Sequence, residues 1–244
     1  MTRGGPQVIP RPPTWRPGGP APWAHLPPSE RVVTPDALRR VFTGRRGTAS
    51  FVETGGDVPR GSAVLAPFYC EADELWVVLT RRAWTLRAHT GEVSFPGGRL
   101  DGDETPVDAA LREAKEEIGL DASAVDVLGE LDHLMAVSSR SFIVPHVALL
   151  PDGRPQLTPS PGEVDAVLHV RVGELLLDEV YREERWTFDV RPAWAPADLP
   201  DLGALERSIF FFELEGDTLW GATAAMLRQL LALALGVPCG IDHV

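Results

Sequence analysis

Cysteine is scarce in this sequence. Its two cysteines, Cys70 and Cys239, lie far apart and form no C-x-x-C pair, which argues against a disulfide framework or a cysteine-held zinc and makes reduced thiols in a cytoplasmic protein the expectation. Positive charge is short as well: 35 Asp and Glu against 23 Lys and Arg leave a formal net charge of −12. Such a chain does not hold nucleic acid or an anionic membrane by bulk attraction, so an anionic ligand has to be met locally, by arginines or bound cations. No apolar run is long enough to span a bilayer, since the late stretch LRQLLALALGVP is short and interrupted. The opening MTRGGPQVIPRPPTWRPGGP lacks the continuous apolar core of a signal peptide. G-x-S-x-G, P-loop and H-E-x-x-H patterns are absent, and LDGDE lacks the remaining spacing of an EF-hand.

What is present divides the chain in two. Nine of the first thirty residues are proline, with Gly-Gly at 4–5 and 18–19, a composition that favours extended, semi-rigid chain. Residues 1–30 are therefore expected to be a tail, draped over the domain through Trp15 and Trp23, with Arg3, Arg11 and Arg16 on a solubilising extension in preference to a recognition arm. Residues 31–244 are expected to form one domain, a length that can bury a substantial core. Thr34-Pro35 starts a short helix. SAVLAPFYC, ELWVVLTRR and GEVSFPGG read as strands, followed by a helix over 106–118. Further strands are expected at VDVLGELDHLMAV, PHVALL, VDAVLHVRV, ERWTFDV and SIFFFELEG, with a short VGELLLD helix and a closing helix, LWGATAAMLRQLLALAL. Strands and helices without strict βαβ alternation indicate an α/β fold, a mixed sheet covered by helices on both faces.

The helix over 106–118 carries the chemistry. Thr105 is its cap, Pro106 its first residue and Gly119 its stop. At about 100° per residue Val107, Ala110, Leu111, Ala114 and Ile118 form one stripe, expected to face the sheet. Glu113, Glu116 and Glu117 crowd a neighbouring sector, with Lys115 across the helix from Glu113 and Glu117. Like charges at this spacing cost a few tenths of a kcal/mol per pair on a free helix. The cluster is either a solvated face or an oxygen-rich site for Mg²⁺ or Mn²⁺, and the glycine-rich FPGGRLDGDE ahead of it favours the site.

Gly98, Glu104, Arg112, Glu113, Ala114, Glu116, Glu117, Gly119 and Leu120 fill every position of G-x5-E-x7-R-E-U-x-E-E-x-G-U, with U aliphatic. This resembles the Nudix hydrolase box; the only liberty is Ala114, small but apolar. The resemblance implies a Nudix α/β/α sandwich and metal-assisted cleavage of a nucleoside diphosphate linked to another group. A second run, VLTRRAWTLRAHTGEVSFPGG, is similar to the motif of coenzyme A diphosphatases in that family, L-L-T-x-R-[SA]-x3-R-x3-G-x3-F-P-G-G, with Val78 for the first leucine. LWGATAA resembles a helix start of the same relatives.

The resemblance implies roles residue by residue. Glu113 and Glu117 would be the principal ligands of Mg²⁺ or Mn²⁺, with Glu116 and the Gly97 carbonyl contributing and Arg112 orienting the glutamates. Glu104 would support the loop by pairing with Arg112. Arg82 and Arg87 would hold substrate phosphate beside Gly97 and Gly98, or else brace the sheet. Arg81 and Arg99 are weaker candidates for ligand contact and read as solvated, and His89, at a variable position of the motif, reads as a surface or structural residue. Glu163 would be the general base, with Glu116 as its rival and a solvated position as the alternative. The expected substrate is coenzyme A or a derivative, giving 3′,5′-ADP and 4′-phosphopantetheine, and the resemblance suggests a homodimer. The alternatives are hydrolysis of ADP-ribose or another nucleoside diphosphate derivative, and a nucleotide-binding module without catalysis.

Overall fold

A computed structural model describes residues 3–48, 60–86, 89–136, 141–188 and 205–239. The longest strands are β2 (Arg60–Glu71) and β3 (Glu74–Arg82), a hairpin whose turn residues Ala72 and Asp73 take positive φ. Alternation along them separates two cores. Ala63, Leu65, Tyr69 and Val78 face one side; Ala66, Phe68, Val77 and Leu79 face the other. β8 (Ser141–Leu150) runs parallel to β2 in register from Arg60↔Ser141 to Tyr69↔Leu150. Flanked on both edges and covered on both faces, it is the unbroken apolar run that such a position requires.

The hairpin does not stay paired. β3 pairs with β2 only through Glu74–Val77. Beyond that, β4 (Val93–Ser94) takes up β3 at Thr80 and Arg81, while β5 (Gly97–Arg99) takes up β2 at Ser62–Val64. FPGG is thereby wedged between two strands that have parted. β6 (Asp126–Glu130) and β7 (Leu134–Ala136) pair with β8, and β9 (Val164–Arg171) with the free edge of β3, completing an eight-stranded mixed sheet.

A second sheet of four strands was not separable in the sequence: β1 (Arg16–Pro17), β10 (Tyr181–Phe188), β11 (Leu205–Glu213) and β12 (Thr218–Trp220), in that order. One face of the large sheet carries α2 (Pro106–Ile118). The other packs with α1 (Pro35–Phe42), α4 (Gly221–Leu235) and the small sheet around Trp23, Phe68, Phe212 and Leu230, with α3 (Val172–Leu175) at the sheet's edge. The helices therefore lie on both sides of the large sheet, as expected. Among the described residues no helix is long and apolar enough to cross a membrane.

Residues 3–30, read in the sequence as a tail, run along the small sheet. Trp23 is fully buried against Tyr181 and Phe212, whereas Trp15 is 41% exposed under the Arg11 guanidinium. Arg11 makes two hydrogen bonds to buried Glu184, Gly18 N–H donates to Glu183 O, and Arg16 pairs with Glu206. The arginines read as solubilising are thus bonded to acids of the domain.

Candidate active site

The start and stop of α2 follow local chemistry. Thr105 Oγ1 accepts from Asp108 N–H, and Gly119 takes the left-handed conformation at φ 70°. Its buried face keeps Ala110, Ala114 and Ile118 of the expected stripe but is rotated from it. Ala109, Ala110, Ala114, Glu117 and Ile118 are buried, while Val107 and Leu111 are only partly so. Three alanines let the helix come close to the sheet, and the axis turns so that Glu117 sits near the middle of the buried face.

The glycines of FPGG explain that approach. A Cβ on Gly98 would lie 2.3 Å from Glu113 Oε1, and one on Gly97 would lie 2.4 Å from Ala63 O. Gly97 N–H donates to Glu117 Oε2 at 3.1 Å. The Glu113 carboxylate beside Gly98 and the backbone of β2 beside Gly97 thus occupy space that side chains there would fill.

Arg112 organises the rest. Its Nε and Nη2 donate to the two oxygens of Glu104, each at 3.0 Å, and Nη2 also donates to Arg99 O at 2.9 Å. Its Nη1 donates to Glu113 Oε1 and Glu116 Oε2, each at 3.0 Å. Hydrogen bonding to Arg112 holds the Glu104 carboxyl below the usual carboxylate range. The pairing of Glu104 with Arg112 is the one expected.

Glu117 is treated differently. Its side chain is 8% exposed, and its nearest cation is Arg82, Nη1 to Oε1 3.8 Å. Burial pushes its carboxyl up to about 7, against the pull of the Gly97 amide and Arg82 and reinforced by Glu113 and Glu163. Burial also raises Glu113, which Arg112 only partly offsets. Negative charge at this spot is left under-compensated.

Two neighbours complete the site. Arg82 Nε is buried with no hydrogen-bond partner, on the guanidinium whose Nη1 stands 3.8 Å from Glu117. Glu163 is exposed, but its loop is tied to the helix end: Thr158 N–H donates to Ile118 O, Ser160 N–H to Glu117 O and Ala83 N–H to Glu163 O. That path brings the Glu163 charge within range of both Glu113 and Glu117. Arg87 lies outside the described residues.

The fit to a divalent cation can be judged from the donors. Among the described residues no three Asp, Glu, His or Cys side chains are gathered as a metal cage. Here Arg112 holds Glu113 and Glu116, and the Gly97 amide holds Glu117. The donor set is nonetheless all oxygen, and the two carboxyls it centres on are both raised by burial, Glu113 against the pull of Arg112 and Glu117 against that of the Gly97 amide. That chemistry fits a hard cation such as Mg²⁺ or Mn²⁺.

A family model described as the NUDIX domain matches residues 59–190, more than half of the chain. The chain belongs to the Nudix hydrolase family. Over 175 residues it is 35% identical to the Nudix hydrolase NudL of Photorhabdus laumondii, covering 71% of this chain and 84% of that protein. It is 39% identical over 176 residues to Nudix hydrolase 22, chloroplastic, of Arabidopsis thaliana, covering 69% of this chain but 53% of that relative, about half its length. A solved MutT/nudix family protein from Enterococcus faecalis aligns over 76% of this chain and 71% of its own at a TM-score of 0.46 and 17% identity.

Within this Nudix domain one residue read as solvated proves to be structural. Arg81 donates to Asp165 Oδ2 and to Asp217 Oδ2, each at 2.8 Å, and Asp217 is 3% exposed. The LWGATAA segment and the LTRRA motif therefore meet through an aspartate just ahead of the first. Nothing at Asp217 marks it in the sequence. His89 pairs with Glu92 at 2.8 Å on the surface, in keeping with the structural role read for it.

Proposed function

We propose that this Nudix hydrolase cleaves the diphosphate of coenzyme A or its derivatives, with Mg²⁺ or Mn²⁺, to 3′,5′-ADP and 4′-phosphopantetheine or its acyl form. The observation that carries the reading is Arg82, a residue of the coenzyme A diphosphatase motif, whose buried Nε has no partner and whose guanidinium stands 3.8 Å from Glu117. A planar fork with a free donor, facing a carboxyl raised by burial, is suited to a phosphate that arrives with a cation. The same resemblance supports a homodimer, and the two free cysteines agree with a cytoplasmic setting.

Glu113 and Glu117 would hold the cation, with Glu116 and the Gly97 carbonyl as further oxygen donors. When bound, the ion supplies charge neutralisation at the diphosphate oxygens and acidity to the attacking water. Arg82 binds and orients a phosphoryl group beside Gly97 and Gly98, assisted by Arg87, while the missing side chain of Gly98 leaves room for the Glu113 carboxylate. Arg112 keeps Glu113 and Glu116 in place while anchored on Glu104. Glu163 accepts a proton from water as its oxygen bonds phosphorus and the bridging oxygen departs with the other phosphate.

Product analysis with coenzyme A and Mg²⁺ or Mn²⁺ tests this directly. Equimolar 3′,5′-ADP and 4′-phosphopantetheine are expected. Comparable turnover of ADP-ribose would overturn the coenzyme A reading, and metal binding without turnover of any nucleotide would favour a sensor.

A further inference from the structure

The stretch Gly4-Gly5-Pro6-Gln7 ends on a buried amide. Gln7 is 8% exposed, and its side chain is fully engaged: Nε2 donates to Gly91 O at 3.0 Å and to Asp217 Oδ1 at 2.7 Å, while Oε1 accepts from Thr218 N–H at 2.8 Å. Burying a carboxamide is costly unless it is satisfied. Here it is satisfied by two segments distant in sequence, the loop of the coenzyme A motif and the turn into β12. The backbone ahead of it fits closely, since a Cβ on Gly5 would lie 2.5 Å from Asp217 Cα, and Gly4 N–H donates to Leu214 O at 2.8 Å.

The connection continues to the strand that carries Arg82. Asp217 passes it to Arg81 on β3, and Arg81 to Asp165 on β9. Neighbours on a strand face opposite ways, so fixing Arg81 on one face sets Arg82 on the other, toward Glu117. Gly91 is one residue from Glu92, whose carbonyl accepts from Arg82 N–H at 2.9 Å. Gln7 therefore reaches the side chain before Arg82 through Asp217, and holds directly the loop that returns beside it.

We propose that Gln7 is a positioning residue for substrate recognition: by joining Gly91 and Asp217 it holds the motif loop and the Arg82 guanidinium in their binding geometry, without touching the reacting phosphate. This rests on the reading of residues 79–98 as the coenzyme A motif. It makes the segment Gly4–Gln7 part of the ligand site's support.

Two readouts on the full chain test it: steady-state kinetics with coenzyme A and Mg²⁺, and amide hydrogen exchange without substrate. For Gln7→Leu, KM is expected to rise about 10-fold with kcat within about 2-fold, the loss of roughly one good hydrogen bond's worth of positioning. Exchange at residues 89–95 should rise by about 10-fold or more while that of α2 stays unchanged. Gly5→Ala, whose Cβ would lie 2.5 Å from both Asp217 Cα and Gln7 Oε1, displaces the segment and the amide together and should give the same split, and Gln7→Asn a milder version should Gln7→Leu fail to fold. Arg16→Ala, which breaks only the exposed pair with Glu206, serves as a control and should change neither readout. Unchanged KM in folded Gln7 variants, a fall in kcat at constant KM, or exchange raised uniformly over the domain would each overturn the proposal. If the wild-type protein leaves coenzyme A intact, the substrate reading fails by itself, and unchanged exchange at 89–95 then decides against Gln7.

Discussion

Glu117 and Glu130 are both buried glutamates on the large sheet and its helix, 6% and 8% exposed, yet the protein treats them in opposite ways. Glu130 receives Arg46 on one oxygen and Gly47 N–H and His133 on the other, at 2.9, 3.0 and 3.0 Å. Despite its desolvation, those bonds bring its carboxyl down to about 2. Glu117 receives one amide and a distant arginine, and burial carries it up to about 7. Burial alone therefore does not mark the functional acid. The mark is charge that the fold declines to match, at a position where a ligand can match it.

The largest expected effect falls on the unmatched acid. Glu117→Gln removes a proposed metal ligand while keeping its shape, and should lower kcat by about 10³-fold or more, the scale of losing a charge used in the transition state. Activity titrated against Mg²⁺ checks it, and turnover within a factor of ten of wild type would remove Glu117 from the metal site. The matched acid should behave in reverse. Glu130→Gln removes the charge that the Gly47 amide, His133 and the exposed Arg46 bond beneath the segment 45–48, so denaturant unfolding should show a loss of about 2 kcal/mol, with kcat changed little. A large catalytic loss at unchanged stability would break the contrast.

How much of this was legible in the sequence depends on how local its cause is. The caps of α2 could be read because Thr105, Pro106 and Gly119 act on their immediate neighbours. The bond between Glu104 and Arg112 could be read from the resemblance, since the box spacing carries both residues. The buried face of α2 could be read only in part, because a wheel weighted by apolarity adds Val107 and Leu111 to Ala110, Ala114 and Ile118, whereas the packing adds Ala109 and Glu117. The unmatched state of Glu117 depends on Arg82, Gly97 and Glu163, brought together by three strands and a loop. The small sheet stayed hidden for a similar reason. Its strands β10 and β11 were visible one by one, but their pairing, and the Pro-rich segment added as β1, are non-local.

Substituting Arg82 should be felt in binding before chemistry. Lysine keeps the charge but loses the planar fork and the Nε donor, so Arg82→Lys should raise KM for coenzyme A about 10-fold with a smaller change in kcat. Steady-state kinetics checks this, and an unchanged KM would return Arg82 to the structural role that the sequence left open for it.

The smallest effect separates the two acids by pH in the metal-free protein. Glu117, raised from 4.5 to about 7 in the fold, is stabilising in its protonated form, so its contribution is fully present below 4.5 and is lost as pH rises through about 7. Glu130, lowered from 4.5 to about 2, contributes above 4.5 and loses it as pH falls toward 2. With allowance for solvent screening each limb should be worth about 1–2 kcal/mol. Glu117→Gln should therefore flatten the fall in thermal stability between pH 5 and pH 8, and Glu130→Gln the fall on the acid side, as read by thermal melts across pH. Mg²⁺ sharpens the comparison. A cation that binds ionised Glu117 competes with its proton, so added Mg²⁺ should raise Tm more at pH 8 than at pH 5 in wild type and lose that difference in Glu117→Gln. Equal shifts at both pH values would separate the raised acid from the metal, leaving the unmatched charge of Glu117 to be answered by substrate alone.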